Sequence, residues 1–291
     1  IAKSLNNLAH VYTLQDRYPE AEALYTQALE LSKKQLGEDH PDIANSLNNL
    51  ANVYSAQNRF GEAEALYIKT LKVTKQSLGE DHLTVATGLN NLALLYANQD
   101  RLSEAESLYA EALSNTRRNL GNDHASVAKI CNNLANVYVS QGRYEKAEPL
   151  YIQDLEITRR NLGENHISVA TSLNNLALLY KAQNRFTEAE PLYQHALAIT
   201  RRTLGEGHPM VAKNLNNLAN VYSGQDRFRE AEPLYARAIE IAERTLGENH
   251  PDVTTSLNNL ALLYNTQCRF REAEPLYVKS LKILQRSFNT H

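Results

Sequence analysis

The chain is 291 residues long and 43 % hydrophobic, with a formal net charge of -3. That is enough apolar material for a large core without metal or disulfide support, and no global charge to draw the chain toward nucleic acid or an anionic membrane. No apolar run approaches the ~20 residues of a membrane span, and the first residues lack the basic, apolar and small-residue order of a signal peptide, so a cytoplasmic location is expected. Cys131 and Cys268 are the only cysteines and fit neither a disulfide framework nor metal-ligand spacing.

In chain order, Leu5, Leu8, Ala9 and Tyr12 fall at i, i+3, i+4 and i+7, which predicts a first helix, A, with one apolar face. After the turn QDRY (Gln15 to Tyr18), Ala21, Leu24, Tyr25, Ala28 and Leu29 repeat the pattern and predict a helix B running toward Leu36. Gly37 is expected to stop it by taking the left-handed conformation of a helix C-cap. His40 and Pro41 then read as the start of the next helix, proline being tolerated at the first helical position. The order recurs at a fixed step, from KSLNNLAHVY at Lys3 to NSLNNLANVY at Asn45, TGLNNLALLY at Thr87, KICNNLANVY at Lys129, TSLNNLALLY at Thr171, KNLNNLANVY at Lys213 and TSLNNLALLY at Thr255. Repeats therefore start near residues 1, 43, 85, 127, 169, 211 and 253. A fixed period in this range predicts a solenoid of stacked hairpins forming one domain over residues 1–291. Ile1 corresponds to Ile43, so the chain reads as a piece of a larger protein, with terminal hairpin faces disposed to end-to-end stacking.

The pattern Leu5-x2-Leu8-Ala9-x2-Tyr12 followed by Ala21-x3-Tyr25-x2-Ala28 resembles the tetratricopeptide repeat, with leucine where its tryptophan stands and alanine for its glycine. Helix B and its loop are eight residues longer than in the 34-residue form, and Lys33 stands where the consensus proline closes the repeat. The 42-residue form, with LNNLA, EAEPLY and LGEDHP, is similar to the repeats of kinesin light chain and of bacterial and fungal proteins built from such units. The resemblance implies an all-α, right-handed α-solenoid of seven antiparallel helix-turn-helix hairpins whose concave groove is lined by one side of helix A. It places Lys3, Asn6, His10 and Thr13 on that side, an arc centred ~120° from the apolar face at 100° per residue.

The groove would then carry a ladder of Asn6, Asn48, Asn90, Asn132, Asn174, Asn216 and Asn258. A carboxamide both donates and accepts, so it can pair with the backbone of an extended peptide whatever the peptide's side chains. The alternative is that each asparagine satisfies groups of the neighbouring hairpin and fixes stacking, the role assigned to the second series, Asn7, Asn49, Asn91, Asn133, Asn175, Asn217 and Asn259. Selectivity is expected from groove positions that vary. The series His10, Asn52, Leu94, Asn136, Leu178, Asn220, Leu262 alternates polar and apolar, and Lys129 and Lys213 alternate with Thr87, Thr171 and Thr255. Such a groove suits a ligand mixing apolar and acidic side chains, although duplication of a two-repeat block would leave the same alternation.

The remaining recurring residues read as structural. His40, His82, His124, His166, His208 and His250 recur once per hairpin, roughly 10 Å or more apart, too far to share a metal. Pro149, Pro191, Pro233 and Pro275 are placed early in helix B, where a missing N–H costs least. Arg17 and its equivalents, three and five residues before acids such as Glu20 and Glu22, read as turn-fixing ion pairs. The basic row near helix B C-termini, Arg117-Arg118 among it, complements the helix dipole and lacks the aromatic interleaving of a nucleic-acid site. No unique catalytic constellation or glycine-rich phosphate loop is present, so neither enzyme activity nor a cofactor is expected. The expected function is an interaction scaffold holding an extended segment of a partner protein; the alternative is a structural, self-associating rod or the sensor region of a larger signalling protein.

Overall fold

The structure, a computed structural model, describes residues 1–38 and 40–288. Asp39 and residues 289–291 lie outside them. Fourteen helices and no strand are found among the described residues. They alternate as helix A and helix B: α1 (Ala2–Leu14), α2 (Tyr18–Leu36), α3 (Pro41–Ala56), α4 (Phe60–Leu78), α5 (Leu83–Asn98), α6 (Leu102–Leu120), α7 (Ala125–Ser140), α8 (Tyr144–Leu162), α9 (Ile167–Ala182), α10 (Phe186–Leu204), α11 (Pro209–Gly224), α12 (Phe228–Leu246), α13 (Pro251–Thr266) and α14 (Phe270–Phe288). This is an all-α solenoid of seven helical hairpins. It divides into two compact units, Ile1–Leu150 and Tyr151–His291, the division falling inside α8. In the first unit each helix from α1 to α6 packs on its successor, and α6 on α7; in the second the same holds from α9 to α14.

The local chemistry explains the boundaries. Each helix A after α1 opens on a histidine whose Nδ1 accepts the N–H two residues on, as from Asp42 at His40 (3.2 Å) and from Met210 at His208 (3.1 Å), so the imidazole is the N-cap acceptor. Helix A closes in a Schellman turn: the Arg59 N–H reaches the Tyr54 carbonyl at 2.8 Å and the Asn58 N–H reaches Ser55 at 3.1 Å. The residue between helices sits at positive φ, as at Asp16 (58°), Asn58 (59°) and Gly142 (71°), and Cys268 is forced into the same conformation at 58°. Gly37 corrects the expected left-handed cap: its φ of 86° comes with a ψ of 166°, the extended mirror region that essentially only glycine enters. The prolines of helix B also differ from expectation. Pro191 lies inside α10, beyond the first turn, so it removes an intrahelical bond that Ala65 permits at the equivalent place in α4.

Packing within a hairpin relies on small residues where the two helices meet, Ala9 with Ala21 in the first and Ala219 with Ala231 in the sixth, all fully buried. Stacking between hairpins adds a polar clamp. Arg101 lies 3.7 Å over the ring of Tyr96, donates to Glu104 of its own helix B at 2.6 and 2.8 Å, and reaches back to Glu64 of the preceding hairpin at 2.8 Å. The Tyr96 hydroxyl donates to the same Glu64 at 2.8 Å. Arg59 with Glu22, Arg143 with Glu106, Arg227 with Glu190 and Arg269 with Glu232 repeat the backward link. Glu22 therefore serves the arginine 37 residues later, not Arg17 as the local spacing suggested. The Arg101 hydrogen bond holds the Glu64 carboxyl below the ordinary carboxylate range, with burial opposing.

Because Glu64 joins two hairpins while Glu62 joins only Arg59 three residues away, Glu64→Ala should lower the thermal midpoint several-fold more than Glu62→Ala. Calorimetry of the two variants measures this, and equal effects would refute the clamp. Relief of the left-handed strain at position 268 in Cys268→Gly should stabilise the second unit by about 1 kcal/mol, read as an upward shift in denaturant midpoint.

Candidate functional site

The helix A side chains assigned to the groove fall into two groups. The first asparagines lie inward: Asn90 is 6 % and Asn216 8 % exposed, and Asn6, Asn48, Asn132, Asn174 and Asn258 are half-buried. Several are tied to the following hairpin. The Asn91 amide donates to Asn48 at 2.9 Å, Asn133 to Asn90 at 3.2 Å and Asn259 to Asn216 at 3.1 Å. Asn6 donates to Ser46 at 2.9 Å, and Asn174 to Asn214, which in turn donates to Thr200 in the core. The doubled asparagine thus works as a pair across hairpins, the second residue of one repeat bonding to the first residue of the repeat before it.

The second group is accessible. Lys129 and Lys213 are exposed, as are Asn52 and Asn136, and Asn220 is half-buried. Leu94 and Leu178 stand out at 44 % and 47 % exposure. Asn52 and Asn220 also have inward partners, accepting from the hydroxyls of Tyr67 (2.5 Å) and Tyr235 (2.7 Å) on helix B.

Two cavities collect these residues. In the first unit, α5, α6 and α7 enclose about 210 Å³ lined by Leu94, Ala97, Leu102, Tyr109, Asn136 and Ser140 among others. In the second, α11, α12 and α13 enclose about 180 Å³ lined by Lys213, Asn216, Asn217, Leu246, Asp252 and Thr255 among others. Both are smaller than the ~300–1,000 Å³ of small-molecule sites and are scaled to single side chains. The first is apolar with an amide rim; the second holds one cation and one anion beside carboxamide and hydroxyl groups. No cluster of histidine, cysteine, aspartate and glutamate suited to a metal occurs among the described residues, and none of their helices is long and apolar enough to cross a membrane.

The tetratricopeptide repeat family model matches residues 1–76, 57–118, 84–153, 126–202, 179–244 and 210–286. The chain belongs to the tetratricopeptide repeat family. Among solved structures it is similar to BtubC (BKLC) from P. vanneervenii, at 29 % identity and a TM-score of 0.69 over 78 % of this chain and 91 % of that one. It is also similar to a putative kinesin light chain with nearly identical repeats from P. anserina, at 26 % identity and 0.64 over 71 % and 98 %. A signal-transduction ATPase with a tetratricopeptide repeat sensor from Pyrococcus horikoshii matches 99 % of this chain with 43 % of its own, at 15 % identity and 0.78, which is a likeness of fold. No curated protein matches.

One tetratricopeptide repeat departs from the others in its buried chemistry. Asp154, where most other hairpins carry alanine, is 6 % exposed beside the hydroxyls of Thr158 and Ser172, and burial pushes its carboxyl above the ordinary value while those hydroxyls act in the opposite sense. The spacing gave no sign of it, since a single acid in helix B reads as surface. A folded chain that binds this proton more tightly than the unfolded one is most stable below the ordinary value of ~3.9, and loses stability as pH rises from there toward the folded value. Asp154→Ala should therefore stabilise the protein at pH 7 by about 1–3 kcal/mol. The gain should vanish near pH 3.5, which unfolding curves at the two pH values will measure.

Proposed function

We propose that this tetratricopeptide repeat scaffold holds an extended segment of a partner protein along the helix A face. The observation that carries the reading is the second-unit cavity, where consecutive A helices bring Lys213, Asn216 and Thr255 to one side-chain-sized space. Asn216 has its oxygen committed to Asn259, which leaves its amide nitrogen for a ligand carbonyl. Lys213 supplies a cation for an acidic side chain, and the first-unit cavity beside Leu94 and Asn136 takes an apolar stem. An extended chain at ~3.3 Å per residue would meet one asparagine every ~3 to 6 residues. In this reading Asn6, Asn48, Asn90, Asn132, Asn174, Asn216 and Asn258 form the inner carboxamide row, with the Asn216 amide nitrogen as its ligand donor, and Asn52, Asn136, Asn220, Lys129 and Lys213 supply the outer contacts.

The amide links between hairpins favour a second reading, in which the ladder only fixes the stacking of a structural rod or sensor array. The two separate in one experiment. A random peptide display library panned on the wild-type chain should enrich peptides carrying an acidic residue. Lys213→Glu should lose them about tenfold or more in affinity with an unchanged melting curve. The triple variant Asn132→Ala, Asn174→Ala, Asn216→Ala should remain folded and lose them too. An unfolded triple variant together with an unenriched wild type would establish the ladder as a stacking device alone.

A further inference from the structure

The tyrosine in the middle of helix B divides the hairpins into two kinds. Tyr67 and Tyr235 donate to Asn52 and Asn220. Tyr109, 1 % exposed, and Tyr193, fully buried, have hydroxyls without a hydrogen-bond partner among the described residues. The sequence supplies the cause. Where the first kind has Asn52 and Ser55, or Asn220 and Ser223, the second has Leu94 and Ala97, or Leu178 and Lys181. Both positions able to receive the hydroxyl have lost that capacity together. An unpaired buried hydroxyl is costly, and most buried polar groups in folded chains are paired.

Around Tyr109 the missing partner also leaves space. The small Ala97 opens the 210 Å³ cavity, which Tyr109 itself lines with Leu94, Leu102, Val137 and, on the following helix A, Asn136 and Ser140. Around Tyr193 the lysine Lys181 stands where Ala97 stands around Tyr109.

We infer that Tyr109 is a specificity-determining donor for a neutral, acceptor-tipped side chain, the carboxamide of glutamine or asparagine, presented by the peptide of the preceding proposal, on which this inference rests. Burial pushes the pKa of the Tyr109 hydroxyl above its ordinary value, so it keeps its proton and remains a donor. A carboxylate entering here would be buried with no cation among the lining residues, an unfavourable placement. An aliphatic side chain would leave the hydroxyl unpaired, and sites built around a polar group discriminate strongly against ligands that cannot pair with it. A carboxamide satisfies both demands: its oxygen accepts from Tyr109, its nitrogen donates toward Ser140, and its stem lies on the leucines and Val137.

The test uses the full chain with Tyr109→Phe and Tyr67→Phe. Tyr67→Phe should lower the melting midpoint by breaking the bond to Asn52, whereas Tyr109→Phe should leave it unchanged or raise it. An equal loss in both would show that Tyr109 already has a partner and overturn the inference. In the library selection, wild-type chain should prefer glutamine or asparagine over leucine at one peptide position by about tenfold, and Tyr109→Phe should bring that ratio near one. Peptides that depend on Lys213 but show no carboxamide preference sensitive to Tyr109→Phe would overturn this inference and leave the groove reading standing. Absence of any Lys213-dependent enrichment would overturn both.

Discussion

The structure depends on the arginine that ends each inter-helix turn. In its complete form the guanidinium lies on the tyrosine ring of its own helix A, bonds the glutamate at the start of its helix B, and reaches back to the glutamate of the hairpin before, as Arg101 does with Tyr96, Glu104 and Glu64. Arg17 begins the chain without the backward link, and Lys146 replaces the helix B glutamate beside Arg143. A single helical hairpin cannot bury its apolar face alone, so stability must come from the interface with the next. Apolar packing there is tolerant of small slides, and a planar cation held by two carboxylates and a ring is not. The clamp therefore sets the register in which Asn91 meets Asn48 and Asn133 meets Asn90.

Stacking and the proposed recognition consequently draw on the same helices. The inner carboxamides are largely consumed by neighbours, and the variable outer positions face the cavities. The proposed function places discrimination between ligands where the repetition breaks: Lys213 against Thr171 or Thr255, Leu94 against Asn52 or Asn136, Ala97 against Ser55. Positions that repeat without change hold the scaffold together, and a ligand that read only those would meet the same surface in every hairpin.

Helices, turns and the starts of helix A were legible in the sequence because they follow from local periodicity and from residues with fixed conformational preferences, such as the histidine before Pro41; the stop at Gly37 was legible but its conformation was not. Links between hairpins were not, and the reason is geometric. In a periodic chain, Glu22 lies five residues after Arg17 and 37 before Arg59, and both intervals recur in every repeat, so spacing alone cannot decide which arginine it serves. The same ambiguity left the first asparagine between ligand and neighbour. Pro191 was misplaced because the helix start lay further upstream than the pattern suggested, and Asp154 was missed because burial of one side chain within a repeated helix has no periodic signature. The paired loss of Asn52 and Ser55 at Leu94 and Ala97 was visible in the sequence, but it acquired meaning only once the Tyr109 hydroxyl was seen beside them.

The clamp and the tyrosine alternation set different rules for how such an array can lengthen. Insertion or loss of one 42-residue unit restores every arginine–glutamate link, because the partner it brings is equivalent to the one it replaces. It also puts two hairpins of the same tyrosine type side by side and shifts all later cavities out of phase. Only exchange of two units at once preserves both the arginine–glutamate links and the alternation of tyrosine partners, so the chemical period of the array is twice its structural one.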